Sequence, residues 1–519
     1  ANSVSSRLDR IYVSSSVDIA SCRHVPCYFS DHDCAVLEFS FPEGVSVGGG
    51  FWKCNVSVLA DAVFQREFRR AYAGWRTLKE GYANDLLWWE DVKSRIRRFI
   101  ISFSCRLARN RRRRRASLLA SLRSVNSELH AGKSDPDTLS RYDSIKEALQ
   151  RLDDFQAEGA RIRSRVRDLE EGEKPSKYFY QLETSQARRK IIPSVRGPRG
   201  DTVSSPEGIL NVYRDFYLDL YTEEPVDVDS QRPFLSSLST LVDEESRIDL
   251  DSPLELAELD AALHSMANGK TPGGDGLPKE FYVHFWDLVG PDLLGVFRCA
   301  FTLNCLGDSQ RLGIITLLEK GGDPLDPKNK RPISLLNVDY KILSNALCLR
   351  LGTVLPDIVG QFQTCGVKGR SIHDNIRLLR DLVEFVDGKN LDCLVISLDQ
   401  QKAFDRVSWD FLFKVLDQLG FGPNFRHWIE LLYAEISSAV LINGVLSDPF
   451  LVTRGVRQGC PLSPLLYVLF IEPFAQTVIN DRREEGLTMP GANGLQCKVL
   501  QYADDTTCIV RLSVSHAAF

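Results

Sequence analysis

The sequence predicts an α+β protein built from several domains, and three observations carry that prediction. At 519 residues, and roughly 150 residues per domain, the chain has room for three or so domains. Its 43% apolar and 26% charged residues sit near the globular average, which excludes fibrous, collagen-like and mucin-like chains. From about residue 250 onward, helical patterns alternate with apolar strand-like runs and Gly/Pro loops, the texture of an α+β or α/β body.

Three zones follow one another. Residues 1–45 hold two strand-like stretches, RLDRIYVS and CAVLEFSF, before the loop PEGVSVGGG, whose glycines mark a boundary. Residues 46–249 read as a helical, charged connector, in which Ile145, Leu149, Leu152 and Phe155 share one helical face. Residues 250–519 form the third zone, and no internal repeat is visible. Thirteen cysteines without a CxxC pair argue against a disulfide scaffold or zinc ribbon and for a reducing, intracellular setting. No apolar run approaches the roughly 20 residues that span a bilayer, and ANSVSSRLDR lacks an apolar signal core, so the expectation is a soluble or peripheral protein without a membrane partner. The methionines are Met266 and Met489; lacking an initiator, the chain reads as a fragment.

A net charge of −5 conceals a strong local asymmetry. Between Lys93 and Arg115 there are eleven Lys or Arg in twenty-three positions and no acid, ending in Arg111, Arg112, Arg113, Arg114 and Arg115. Such density repels itself unless polyanions neutralise it, and phosphate contacts that release counterions make nucleic acid the expected partner. A nuclear-import signal or a solvated face are the alternatives. Phe99, Phe103, Trp88 and Trp89 either stack on bases or form the apolar face of the helix. A second cluster, Arg161 to Arg167, is offset by Glu170, Glu171 and Glu173.

The third zone carries the chemistry. CLVISLD at 393–399 is an apolar strand ending in an acid, so Asp399 is expected to project from a strand end. KVLQYADDTTCIV has the form of a hairpin with Asp504 and Asp505 at its bend. Adjacent acids at a tight turn repel each other, which is tolerable where a cation is bound or the tip is fully exposed. If the two places meet, Asp399 and Asp504 would jointly hold two Mg²⁺ ions about 4 Å apart, hard cations that favour oxygen ligands and serve in-line phosphoryl transfer. Between them, RGVRQGCPLSPLLYVLFIEPF offers Gly455 and Gly459 for close backbone approach by a nucleotide, and Pro461 and Pro464 to open an apolar helix.

Taken together, LDQQKAFD at 398–405, RQGCPLSP at 457–464 and YADD at 502–505 resemble the palm signature of LINE-type, non-LTR retrotransposon reverse transcriptases, in order and spacing. GKTPGGDGLPKEFY at 269–282, ITLLEKGGDPLDPKNKRPISLLNVDYKIL at 315–343 and GRSIHDNI at 369–376 resemble further blocks of that family, so nearly all of 250–510 is covered. The resemblance implies a right-hand polymerase, with fingers and palm in 250–519 truncated before the thumb, that copies an RNA template into DNA from a DNA primer or target. Asp399 and Asp504 would ligate two Mg²⁺ ions, or Mn²⁺ in their place, and Asp505 would complete the acidic site. Phe404 would stand under the sugar of an incoming deoxynucleoside triphosphate and exclude a 2′-hydroxyl. Gln458 and Gly459 would touch the nucleotide or its base pair, and Arg331 and Lys320 would clamp its triphosphate. Asp405 matches the pattern without a metal role.

In the first zone, Asp9 and the later Asp31–His32 resemble the last catalytic blocks of the endonuclease/exonuclease/phosphatase family, with Asp31 orienting His32 toward a scissile phosphate. Residues 1–45 would then be the end of an incomplete endonuclease α/β sandwich, and nicking would belong to a longer protein. GEKPSKYFYQLE at 172–183 is similar to connectors of the same retrotransposon family. The expected activity is target-primed reverse transcription by an intracellular ribonucleoprotein of nucleus and cytoplasm; the alternative is a catalytically incompetent nucleic-acid-binding fragment. Oligomeric state is not legible.

Overall fold

In a computed structural model the described residues are 11, 13, 18–25, 34–40, 48–131, 135–164, 191–483, 485–488 and 496–512. The chain divides into two compact units, 1–48 with 100–193, and 49–99 with 194–519. Residues 49–99 and 194–249, grouped above with the connector, therefore pack in the same unit as 250–519.

In the first unit, β1 (Asp18–Val25) and β2 (Cys34–Ser40) form an antiparallel hairpin. Its cross-strand pair Arg23–Glu38 closes at 2.6 Å. The strand expected at 7–14 falls outside the described residues apart from Ile11 and Val13, which are not in a strand. Across 49–164 run α1 (Ala62–Arg76), α2 (Asp85–His130) and α3 (Pro136–Ser164). No Gly or Pro interrupts α2, which lets a helix of 46 residues persist. Its C-terminal part packs on α3 through Leu122 and Leu149, with Leu118, Leu119, Tyr142 and Ile145 around them. Asp135 starts α3 by accepting the Thr138 N–H at 2.9 Å.

In the second unit an aromatic core fastens α1 to the body. Phe64, Phe68, Phe281 and Phe285 are fully buried, and the Phe68 and Phe285 rings lie 4.3 Å apart. Trp88 and Trp89 are buried in this unit too, so they are not free to stack on bases. The Trp89 indole donates to Asp339 at 2.9 Å, and the Lys93 ammonium pairs with the same carboxylate at 2.9 Å. Lys93 thus satisfies a buried acid and leaves the basic stretch counted from the sequence.

Two sheets carry the site. In one, β3 (Leu312–Glu319) pairs antiparallel with β4 (Lys330–Leu335), while a strand over Ser437–Ile442 runs parallel to β3 on its other side. In the other, β5 (Cys393–Leu398), β6 (Val499–Tyr502) and β7 (Asp505–Arg511) are antiparallel, with β7 in the middle. Helix α4 (Val338–Ile358) follows β4, α5 (Ile372–Lys389) precedes β5, and α6 (Ser463–Asn480) precedes the β6–β7 hairpin. Leu382 of α5 joins Leu500 and Ile509 in the core beneath the second sheet. Pro464 sits in the first turn of α6, as the sequence predicts, because a helix's first N–H groups need no intrahelical acceptor. The mixture of helices and sheets agrees with the expected α+β class.

Candidate nucleotide and metal site

Register brings the acids together. Leu398 at the end of β5 pairs with Thr506, and Tyr502 pairs with Asp505 across the hairpin bend. The next residue after Leu398 is Asp399, which therefore comes alongside Asp505 and the two-residue loop Ala503–Asp504. The Asp504 carboxyl is pushed above the usual carboxylate range, first by burial and then by the charges of Asp505 and Asp399, with Lys320 opposing. The expected crowding of acids is present, and a bound cation would relieve it.

A cavity of about 530 Å³ lies beside this bend, lined by Asp399, Asp504, Phe404, Gln458, Gly459, Arg331 and Lys320. Every residue singled out for nucleotide or metal binding is on its wall, whereas Asp505 is not. Arg331 on β4 and Lys320 just beyond β3 are exposed. Lys402, held by burial below its usual pKa despite nearby Asp405, is a further cation on the wall that the motifs did not single out, as are Lys328, Lys330 and Arg457. Among the described residues no group of three His, Cys, Asp or Glu side chains is placed to cage a metal. Two carboxylates on an open cavity still suit Mg²⁺, which takes one or two protein carboxylates and completes its shell with phosphates and water.

Phe404 lies in the short 3-10 turn Ala403–Arg406, half-buried and stacked on Tyr467 with ring centroids 4.3 Å apart. The Tyr467 hydroxyl donates to Gln400 at 2.9 Å, so the ring under Phe404 is itself fixed. Gln458 is oriented by Asp405, which accepts its amide N–H at 2.8 Å and the Tyr221 hydroxyl at 3.1 Å. Asp405 is 1% exposed, and its burial raises the carboxyl pKa against those hydrogen bonds.

The glycines act differently from the expectation. A Cβ on Gly459, at φ 124°, would come within 2.4 Å of the Ser334 carbonyl oxygen, and one on Gly455 within 2.6 Å of the Asp405 carbonyl oxygen. The space beside each glycine is filled by protein backbone, with the Ser334 N–H donating to the Gln458 carbonyl at 2.7 Å. These residues are glycine because two main chains meet there, although Gly459 also borders the cavity.

Gln363 was missed. It is fully buried, and its Oε1 accepts the N–H of Ala503 at 3.0 Å and of Cys365 at 3.1 Å. Its amide N–H donates back to the Ala503 carbonyl at 3.4 Å. Ala503 has φ 55°, a left-handed conformation that costs a non-glycine residue about 1–2 kcal/mol, and Gln363 is what holds it. Arg370 in turn secures this segment by donating to the carbonyls of Pro356, Val359, Gly360 and Gln363.

The remaining candidates lie elsewhere. Arg111, Arg112, Arg113 and Arg114 are exposed on α2, while Arg115 is half-buried and pairs with Asp153 at 3.3 Å. Asp9, Asp31, His32 and the 172–183 stretch lie outside the described residues.

Comparison with known proteins bears on what this arrangement is for. The reverse transcriptase (RNA-dependent DNA polymerase) family matches residues 318–518. The Transposon TX1 uncharacterized 149 kDa protein of Xenopus laevis is 35% identical over 510 residues, 98% of this chain and 38% of that protein. The Retrovirus-related Pol polyprotein from type-2 retrotransposable element R2DM of Drosophila melanogaster is 27% identical over 241 residues, 44% of this chain and 22% of its own length. The RNA-directed DNA polymerase from mobile element jockey of Drosophila funebris is 26% identical over 275 residues, 50% of this chain and 28% of its own length. The chain spans well under half the length of these curated relatives.

Proposed function

We propose that the chain is a LINE-type reverse transcriptase of the non-LTR retrotransposon kind, like the proteins it is similar to, and that it polymerises deoxynucleotides on an RNA template in the cavity beside Asp399 and Asp504. One observation carries the reading: carboxylates, cations and an aromatic floor from four separate sequence blocks line that single cavity. Lys320 and Arg331 bind the triphosphate of the incoming nucleotide, Arg331 as a bidentate fork and Lys320 as a point charge. Phe404, backed by Tyr467, supports the sugar and leaves no room for a 2′-hydroxyl. Gln458, aimed by Asp405, and Gly459 bound the side where the base pair forms.

Asp399 and Asp504 would hold the divalent ions. When bound, a pair of Mg²⁺ ions, or Mn²⁺ in their place, stabilises charge on the attacking and leaving oxygens. The primer 3′-hydroxyl oxygen forms a bond to the α-phosphorus as its proton passes to solvent, the bond from the α-phosphorus to the oxygen bridging to the β-phosphate breaks, and pyrophosphate leaves. The chain's contribution is alignment of those reactants and exclusion of the wrong sugar. The palm-and-fingers description, priming from a nicked genomic target, an upstream endonuclease and phosphate contacts by Arg111–Arg114 belong to the same reading of the longer protein.

A primer-extension assay on an RNA template annealed to a DNA primer tests it. Deoxynucleotide incorporation that requires Mg²⁺ and disappears in Asp504→Ala is the expected result. Salt-sensitive RNA binding with no extension, from a properly folded protein, would instead identify a non-catalytic nucleic-acid-binding element.

A further inference from the structure

We infer that a second, smaller cavity is the binding site for a backbone phosphate of the template strand, an inference that rests on the polymerase reading above. This cavity, of about 290 Å³, is lined by Lys270, Thr271, Lys279, Lys341, Asn345 and Gly459 among others. Gly459 borders the nucleotide cavity as well, so the two cavities share that residue as a wall. A base paired with the incoming nucleotide over Gln458–Gly459 belongs to a strand whose backbone runs close to that shared wall.

Two of its three cations are not used up within the protein. Lys341, in the first turn of α4, is half-buried; burial pushes its pKa down, against the raising effect of Cys460 and Asp275. Among the described residues its ammonium has no ion pair or hydrogen bond. Lys270 is exposed at the rim and likewise has no ion pair among the described residues. The third cation differs: Lys279 is 8% exposed and donates to the His264 carbonyl at 3.2 Å and to the Met266 carbonyl. It builds the wall and leaves Lys270 and Lys341 to face the opening. A partly desolvated ammonium without a counter-ion carries a cost, and an anion entering the cavity offsets it. A phosphodiester oxygen supplies that charge, and Thr271 adds a hydroxyl donor without reading the base.

The site is tested by fluorescence anisotropy of a labelled RNA template annealed to a DNA primer, titrated with the protein over a range of salt in Mg²⁺. Lys341→Met is expected to weaken binding roughly five- to tenfold and to lower the slope of log K against log salt by about one, the signature of one lost phosphate contact. Lys341→Arg should retain the wild-type slope, and Lys270→Ala, on the surface, should reproduce a smaller part of the loss. Thermal melting of Lys341→Met without nucleic acid should be unchanged or raised, since a half-buried charge without a partner has been removed; a lowered melting point would mark Lys341 as structural and overturn the assignment. So would wild-type affinity and slope in both Lys341→Met and Lys270→Ala. A raised KM for deoxynucleotide with primer–template affinity intact would give the cavity to a triphosphate or pyrophosphate and also overturn it. If the wild-type protein binds primer–template with this salt behaviour but extends nothing, the polymerase reading fails while the phosphate site stands.

Discussion

Replacing Gln363 by methionine keeps the side-chain volume and removes the carboxamide that grips the bend between β6 and β7. Two backbone N–H groups, of Ala503 and Cys365, lose their acceptor. Each donor left unpaired in a buried place costs about 1–3 kcal/mol, so the segment loses roughly 2–6 kcal/mol of local stability. Ala503 already spends about 1–2 kcal/mol in its left-handed conformation, and without Gln363 the loop relaxes toward an ordinary turn and carries Asp504 with it. A displacement of about 1 Å in a reacting array can cost ~100-fold in rate. The expected outcome in steady-state primer extension is a fall in kcat of about 10–100-fold, with KM for deoxynucleotide little changed and the Mg²⁺ concentration for half-maximal rate increased. Adding Ala503→Gly should recover part of the rate, because glycine takes φ 55° without strain. Wild-type kcat together with wild-type Mg²⁺ demand in Gln363→Met would refute the reasoning and show that the bend holds itself.

Four further outcomes follow from the same geometry. Phe404→Ala should reduce discrimination against ribonucleoside triphosphates by roughly tenfold or more, read as the ratio of kcat/KM for the two sugars. Asp504→Asn should lose at least ~100-fold in activity yet melt at a higher temperature at pH 7; the raised folded-state pKa of Asp504 means that its ionised form weakens the fold as pH rises through that value, so the gain should shrink as pH falls to the ordinary aspartate range. Gly459→Ala should destabilise by about 2–4 kcal/mol in chemical denaturation, because the new methyl would meet the Ser334 carbonyl 2.4 Å away. Lys93→Met should cost about 3–5 kcal/mol in the same measurement, since Asp339, fully buried, loses a partner 2.9 Å away.

The acids and the cavity wall were legible because each sits in a short local pattern. An apolar run ending in Asp399 and a paired run bending at Asp504 reveal strand ends without any knowledge of what lies opposite, and the order of the blocks supplied the rest. What escaped is non-local. Gln363 acts on a backbone N–H 140 residues away, and nothing around it in sequence shows that Ala503 will need an acceptor. Asp405 orients Gln458 while held by Tyr221, 184 residues upstream. Lys93 belonged to a basic run by spacing, but burial against Asp339 decides its role, and composition does not report burial. Gly459 borders the cavity, but the reason for its missing side chain, the approach of Ser334, requires knowing that β4 passes there. Trp88 and Trp89 suited either base stacking or a core, and packing decided for the core.

The account depends on Asp399 and Asp504 sharing divalent ions at the hairpin bend. Anomalous diffraction from crystals of the protein with primer–template, deoxynucleotide and Mn²⁺ measures that directly. The account predicts metal peaks beside the bend, at about 2.0–2.2 Å from carboxylate oxygens of both Asp399 and Asp504. Ordered nucleotide in the cavity with its metal bound by neither aspartate would contradict it.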